Sequence, residues 1–353
     1  KGNPSFTAAW LKRQGSDVAK TILRVRKLAK ARTTFVDNAI LDKHVDGRLH
    51  CQFHPLKSDS GGTVSGRFSC SCPNLQQVPA RDEEMSGLIR QIFIPDDGYP
   101  LWLRGDYSQI EYRLLAHYAV GKGADTIRKL FVNDPSTDYH EATRQLIYQI
   151  TNRLLDRKPT KNINFGLVYG MGEPTLCETL GVDRQEGSNL FEAYHEGVPF
   201  VSTTFADHVD EAQDTGIIKT ILGRRSRFDR FIPIGDRKAK SLPYQEAVSV
   251  YGGNVERAFT HKALNRRLQG SAADVIKLGM LVAYEDGIFD ELGGVPQLTV
   301  HDELDTSYHP DHRKAAVRLK QCMEEAIQLK VPVILDMEAG SNWASVKKIN
   351  LGE

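Results

Sequence analysis

Two strand-like stretches set what this chain can fold into. They are LWLRGDY, Leu101 to Tyr107, and QLTVHDELDTSY, Gln297 to Tyr308. Ser108 can cap a helix directly after the first, with Ile110, Leu114, Leu115 and Tyr118 turned inward at helical spacing. Asp106 then ends a strand just before a helix. That is a common seat for a metal-binding carboxylate, because a rigid element fixes it and the loop leaves it reachable. An ordinary turn Asp fits the same position. In the second stretch both arms read as strands, with His301-Asp302-Glu303 at or near the turn. Strands this far apart in the chain can share one sheet and bring Asp106 and Asp302 together. Two Asp side chains suit Mg²⁺, which takes oxygen ligands and keeps waters or substrate phosphate oxygens. A pair of such ions ~3.5–4 Å apart would activate a 3′-hydroxyl and stabilise a leaving pyrophosphate.

A third stretch, RKPTKNINFGLVYG, repeats Arg157, Lys161, Phe165 and Tyr169 every four residues. On a helix these form one slowly drifting stripe. Cations suit phosphates and aromatics suit a base or sugar, so the stripe fits a nucleoside triphosphate. Two solvated cations preceding two core aromatics give the same pattern. Asp156 can cap this helix, and Pro159 falls in its first turn, where a missing N–H does no harm.

The rest of the chain is a mixture of helices and short strands. Ser16 or Asp17 can cap a helix with Val18, Ile22, Val25 and Leu28 at helical spacing and basic residues on its other faces. Arg48 to Phe53 alternates like a strand after the Asp46-Gly47 turn. A long Gly-, Ser- and Asn-rich loop carries Arg67, Asn74 and Gln76, residue types that suit sugar and phosphate contacts as well as a plain connection. Tyr139 to Leu155 and Val201 to Asp214 read as helices, and Gly181 and Gly187 punctuate those between. GIIKTILGRRSRF reads as two short strands around Gly223. Pro243 to Leu281 reads as helical, with Asn265 and Gln269 on one face. Arg313 to Leu329 is an amphipathic helix, followed by a strand from Val331 to Ala339. The net charge of +1 announces no nucleic-acid binder. Its distribution does more, with basic clusters from Lys12 to Arg32 and from Lys219 to Arg230. No apolar run approaches the ~18 residues of a membrane span. The five scattered cysteines lack a metal-knuckle spacing and read as reduced thiols of a cytosolic protein.

DYSQIEYR (Asp106 to Arg113), RKPTKNINFGLVYG and VHDE (Val300 to Glu303) resemble motifs A, B and C of the family A DNA polymerases, those similar to bacterial DNA polymerase I. GRFSCSCPNLQQVPAR, ILGRRSRF, NRRLQGSAADVIKLGM and SNWASVK extend the resemblance almost end to end. It implies an α+β right-hand fold with an antiparallel-sheet palm, helical fingers and a partial helical thumb. Residues 1–55 would be partial thumb, 56–119 the first part of the palm, 120–240 fingers, and 241–353 the second part of the palm. It implies template-directed addition of dNTPs to a primer 3′-hydroxyl, with two Mg²⁺ ions, or Mn²⁺ in their place. Asp106, Asp302 and the Tyr107 carbonyl would hold the metals, with Glu303 close by in a lesser role. Arg157 and Lys161 would hold the triphosphate, with Gln109 near it and His140 in support. Phe165 would pack on the incoming sugar and base, and Tyr169 would stack at the templating position. Glu111 would block a 2′-hydroxyl. Arg67, Asn74, Gln76, Asn265, Gln269 and His301 would track primer-template DNA.

The resemblance also implies what these residues lack: a leading thumb helix and a proofreading exonuclease centre. It implies a cytoplasmic enzyme of a bacterium or a phage-infected host, or an organellar one in a eukaryote. It names no processivity or replisome partner. Five positions depart from the family pattern. Pro159 replaces a helix-former inside motif B and is expected to alter the aim of Arg157. His261 stands where an Arg is frequent. Cys70 and Cys72 fall in a normally Ser- and Asp-rich loop. Phe165 in place of Tyr predicts discrimination against dideoxynucleotides. Two other readings are a single-subunit RNA polymerase, opposed by Glu111, and a non-catalytic DNA-binding module, opposed by Asp106 and Asp302.

Overall fold

The computed structural model describes residues 6–58, 61–80, 82–152 and 156–351, apart from the side chains of Thr151, Arg157, Lys158 and Pro159. Its architecture is α+β. An antiparallel sheet runs in the order Leu298–Val300, Glu303–Tyr308, Leu101–Tyr107, Leu335–Gly340, Lys347–Lys348. Leu101–Tyr107 is the central strand. Its partners are in register Glu303↔Asp106 on one side and Asp336↔Asp106 on the other.

The period of two sorts the side chains. Leu103, Tyr107, Leu304, Leu335 and Met337 enter the main core, which they share with the helices Ala263–Glu285 and Arg313–Glu325. Trp102, Arg104 and Asp106 alternate with them and turn to the opposite face, as do Glu303, Asp305 and Glu338. A second core covers part of that face, where Trp102 and Trp343 pack with Met85 and Ile89. The sheet is therefore sandwiched along most of its length and left open at the end that carries Asp106.

Facing that end, the chain forms the helices Tyr139–Thr151, Arg157–Val168, Glu173–Leu180, Arg184–Gly197 and Phe200–Thr215. Asp138 caps the first through the His140 and Glu141 N–H groups. Gly181 and Gly216 close two others in the left-handed conformation. A smaller sheet, Val255–Arg257, Arg230–Pro233 and Leu242–Pro243, follows. Among the described residues no helix is long and apolar enough to cross a membrane.

The structure corrects four local expectations. The helix after the central strand begins at Ile110, and its cap is Gln109, at φ 53°, rather than Ser108. The Pro243 to Leu281 run is two helices, Tyr244–Tyr251 and Ala263–Glu285, because Gly252 and Gly253 release the chain into the strand Val255–Arg257. Gly187 lies inside a helix, where a Cβ would meet the Cys177 Sγ at 2.1 Å; close packing explains it, not punctuation. On the helix Asp17–Ala31 the apolar stripe stays open, with Val18 70% and Val25 58% exposed. Its basic face docks instead: Arg24 pairs with Glu84 at 2.9 Å and Lys27 with Asp82 at 2.5 Å. The helix expected over Tyr139 to Leu155 is described to Thr151, and residues 153–155 lie outside the described residues.

Candidate active site

Strand register assembles the acidic centre. Glu303 lies opposite Asp106, and Asp302 precedes it in the turn. The Tyr107 backbone N–H donates to the Asp302 carbonyl at 3.2 Å, which ties the turn to the strand end. His301 makes that turn at φ 58°, a conformation costly for a residue with a Cβ. Desolvation in the cleft, then repulsion from Glu303 and Asp302, push the Asp106 carboxyl up to about 7. Burial also raises the Asp302 carboxyl, against the pull of Arg67.

These groups fit a divalent cation. Carboxylates that repel one another are relieved by positive charge between them. Their donors are oxygens only, which suits Mg²⁺ rather than a thiolate- or imidazole-seeking ion. Among the described residues no group of three or more His, Cys, Asp or Glu side chains converges on one point. An ion held by Asp106 and Asp302 would therefore need water or substrate oxygens as further ligands, as Mg²⁺ accepts. The Tyr107 phenol points away into the core, donating to the Met323 carbonyl at 2.7 Å, so only its backbone can serve the site.

A chain of polar contacts crosses from the sheet to the facing helix. Arg67 Nη2 donates to Glu111 Oε1 at 2.6 Å and to the two Asp302 oxygens at 3.1 and 3.3 Å. The second Glu111 oxygen accepts from the Tyr169 hydroxyl. Burial opposes the Arg67 charge, but Asp302 and Glu111 outweigh it and keep the guanidinium protonated. Burial, then Glu111, raise the Tyr169 phenol, which is therefore a neutral donor.

Three of the four stripe residues are described, Lys161 and Phe165 on the helix Arg157–Val168 and Tyr169 at its C-cap. Ile163, Asn164, Leu167 and Val168 are buried, while Lys161 is exposed and Phe165 and Tyr169 are half-buried. Phe165 packs against Tyr112 at 5.2 Å and Tyr169 at 6.5 Å. The His140 Nδ1 pairs with the Asn164 amide at 3.1 Å, and its ring meets Tyr112 edge-on. Arg157 heads the helix, but its side chain and that of Pro159 lie outside the described residues.

Gln109 braces rather than reaches out. Its amide donates to the Thr137 carbonyl at 2.9 Å and accepts from the Tyr139 N–H at 2.8 Å. Arg67, Gln76, Asn265, Gln269 and His301 line one cleft of about 520 Å³. Asn74 is not among the lining residues; it heads the turn Leu75–Gln77, which carries Gln76. Lys262 and Arg266 line the same cleft. The sequence hid them because their spacing from Asn265 carries no pattern of its own. The contact of Arg67 with Glu111 and Asp302 was also hidden, since it joins three distant segments.

The family model described as DNA polymerase family A matches residues 1–345. The chain is 31% identical over 354 residues to "DNA polymerase I, thermostable" of Thermus aquaticus, covering 98% of this chain and 39% of that protein. It is 31% identical over 394 residues to a DNA-directed DNA polymerase of Pseudomonas phage M6, covering 97% of this chain and 54% of that protein. The solved "POL domain of Pol1 from M. smegmatis complex with DNA primer-template and dNTP" superposes with a TM-score of 0.77 at 26% identity, over 97% of this chain and 56% of that one. The chain thus spans only part of the length of these relatives. By the breadth of the family match, this chain belongs to DNA polymerase family A.

Proposed function

We propose that this chain is the polymerase part of a template-directed DNA polymerase that adds dNTPs to a primer 3′-hydroxyl and releases pyrophosphate. The observation that carries the reading is the register Glu303↔Asp106, with Asp302 tied to the same strand end, opposite the helix that bears Lys161 and Phe165 and is capped by Tyr169. Asp106, Asp302 and the Tyr107 carbonyl would hold two Mg²⁺ ions, or Mn²⁺ in their place, with Glu303 beside them. When bound, such ions supply Lewis acidity at the attacking hydroxyl and at the leaving pyrophosphate. The primer 3′-oxygen bonds to the α-phosphorus, the bond to the pyrophosphate oxygen breaks, and the hydroxyl proton leaves to solvent.

The protein's own residues position the reactants. Lys161 and Arg157 bind the triphosphate. Phe165 packs on the sugar and base, and Tyr169 guards the templating position. His140 and Gln109 hold the neighbouring helix in place. Glu111, fixed between Arg67 and Tyr169, closes the space a 2′-hydroxyl needs. Arg67, Asn74, Gln76, Asn265, Gln269 and His301 follow primer and template.

Residues 1–55 serve as partial thumb, 56–119 and 241–353 as palm, and 120–240 as fingers. Two pairings soften those borders: Gln52–His54 with Ser69–Ser71, and Arg230–Pro233 with Leu242–Pro243. Relatives from bacteria and a phage support a cytoplasmic setting. The test is primer extension by Asp302→Asn, which keeps the side-chain shape and removes the charge. Extension falls by roughly 10³-fold or more, while primer-template binding stays within a few-fold. Retained turnover overturns the reading.

A further inference from the structure

Glu303 is gripped by residues outside the three motifs. Its Oε1 accepts from the Trp343 indole N–H at 2.8 Å and lies 4.0 Å from Arg90 Nη1. The Arg90 guanidinium sits over the Trp343 ring, 4.0 Å from its centroid, and its Nε donates to the Pro79 carbonyl at 3.1 Å. Trp343 is wholly buried, with Phe93 edge-on at 5.4 Å and Trp102 stacked at 6.1 Å. Its backbone N–H donates to the Phe93 carbonyl at 3.0 Å. Every element of this cluster is therefore locked by packing or by a backbone hydrogen bond.

An indole this deep fills space as any large aromatic does. What sets it apart is the N–H, whose partner is the carboxylate opposite Asp106. A Glu side chain has three rotatable bonds, and a strand end leaves them unrestrained unless something holds the carboxylate. A charge-assisted hydrogen bond from a rigid donor does so. The cation stacked behind the ring strengthens the hold by its proximity to the same oxygen.

We infer that Trp343, backed by Arg90, is a positioning residue for nucleotidyl transfer: its indole N–H fixes one Glu303 oxygen and so orients the carboxylate that lies opposite Asp106 in the sheet. This inference rests on the polymerase reading above. It accounts for why the chain returns after the strand Leu335–Gly340 to bury a tryptophan beneath the site.

The test is single-turnover primer extension at saturating dNTP with the whole chain, comparing Trp343→Phe, Glu303→Ala and the double variant. Trp343→Phe keeps the ring packing and the cation contact but removes the donor. We expect its kcat to fall roughly tenfold, the scale of one charge-assisted hydrogen bond, with dNTP KM and primer-template Kd unchanged. The double variant should be no slower than Glu303→Ala alone, because the tryptophan acts through that carboxylate. A merely structural role predicts losses that multiply, and that result overturns the proposal. Full speed in Trp343→Phe beside a slow Glu303→Ala also overturns it and leaves the polymerase reading standing. Full speed in Glu303→Ala removes the role of Glu303 and the proposal with it. If Trp343→Phe does not fold, benzothienylalanine at position 343 replaces the N–H with sulfur in the same ring shape and carries the same expectations.

Discussion

Glu111 is held from both sides, by the Arg67 guanidinium and the Tyr169 hydroxyl, so it presents a fixed wall rather than a mobile chain. Glu111→Ala removes that wall. Its kcat/KM for ribonucleotides relative to deoxynucleotides should rise by ~10²-fold or more, and unchanged sugar selectivity would remove Glu111 as the gate. Asp305 poses the opposite case. It is fully buried, accepts from the Trp102 indole N–H at 2.6 Å, and its second oxygen meets no donor. Burial, then Glu303, raise its carboxyl well above the ordinary range. Folding thus takes up a proton there. The cost is absent below the unfolded pKa near 4 and grows as pH climbs above it. Asp305→Asn should stabilise the fold at pH 8 by about 1–3 kcal/mol, with the gain fading toward pH 4. Calorimetry at the two pH values checks this, and a gain that is equal at both would contradict it.

At the scale of elements, the long helix Ala263–Glu285 must approach both the sheet and the helix Arg313–Glu325. Gly279 permits this. A Cβ there would lie 2.7 Å from the Met323 Sδ, which can move aside, and 3.2 Å from both the Met323 Cα and the Tyr107 hydroxyl. The Met323 backbone must then give by a few tenths of an ångström, which a packed helix pair resists, so Gly279→Ala strains this contact. A loss of about 1–3 kcal/mol follows, against the ~1 kcal/mol that alanine would otherwise add to a helix. The same displacement strains the Tyr107–Met323 bond beneath the site, so primer extension should slow as well. A raised melting temperature in this variant would show that the packing has slack. Most elements were legible because their signals are local. Leu101–Tyr107 and the His301-Asp302 turn announced themselves through alternation and polarity. The break at Gly252 and Gly253 was missed, since apolar periodicity on either side concealed a strand whose partner is Arg230–Pro233.

Across the whole molecule a net charge of +1 forces any affinity for a polyanion to come from local clusters. Lys262, exposed at the rim of the Asn265 and Gln269 cleft, belongs to one. Lys262→Ala should weaken primer-template binding to a similar degree for all sequences and lower the log Kd against log salt slope by about 1. An unchanged slope would place Lys262 off the phosphate path. The sequence by itself determined the family motifs, the strand end carrying Asp106 with the turn carrying Asp302, and the succession of Lys161, Phe165 and Tyr169 along one helix and its C-cap. These depend on spacing along a few turns or residues, where geometry is fixed by the backbone. Only the tertiary structure decided that Arg67 joins Asp302 to Glu111, that Gln109 braces Thr137 and Tyr139, and that Trp343 grips Glu303. It also left the Val18 and Val25 face open while basic residues docked. Each of those choices is made between segments distant in sequence. Their pairing follows from packing and long-range charge, which local pattern does not encode.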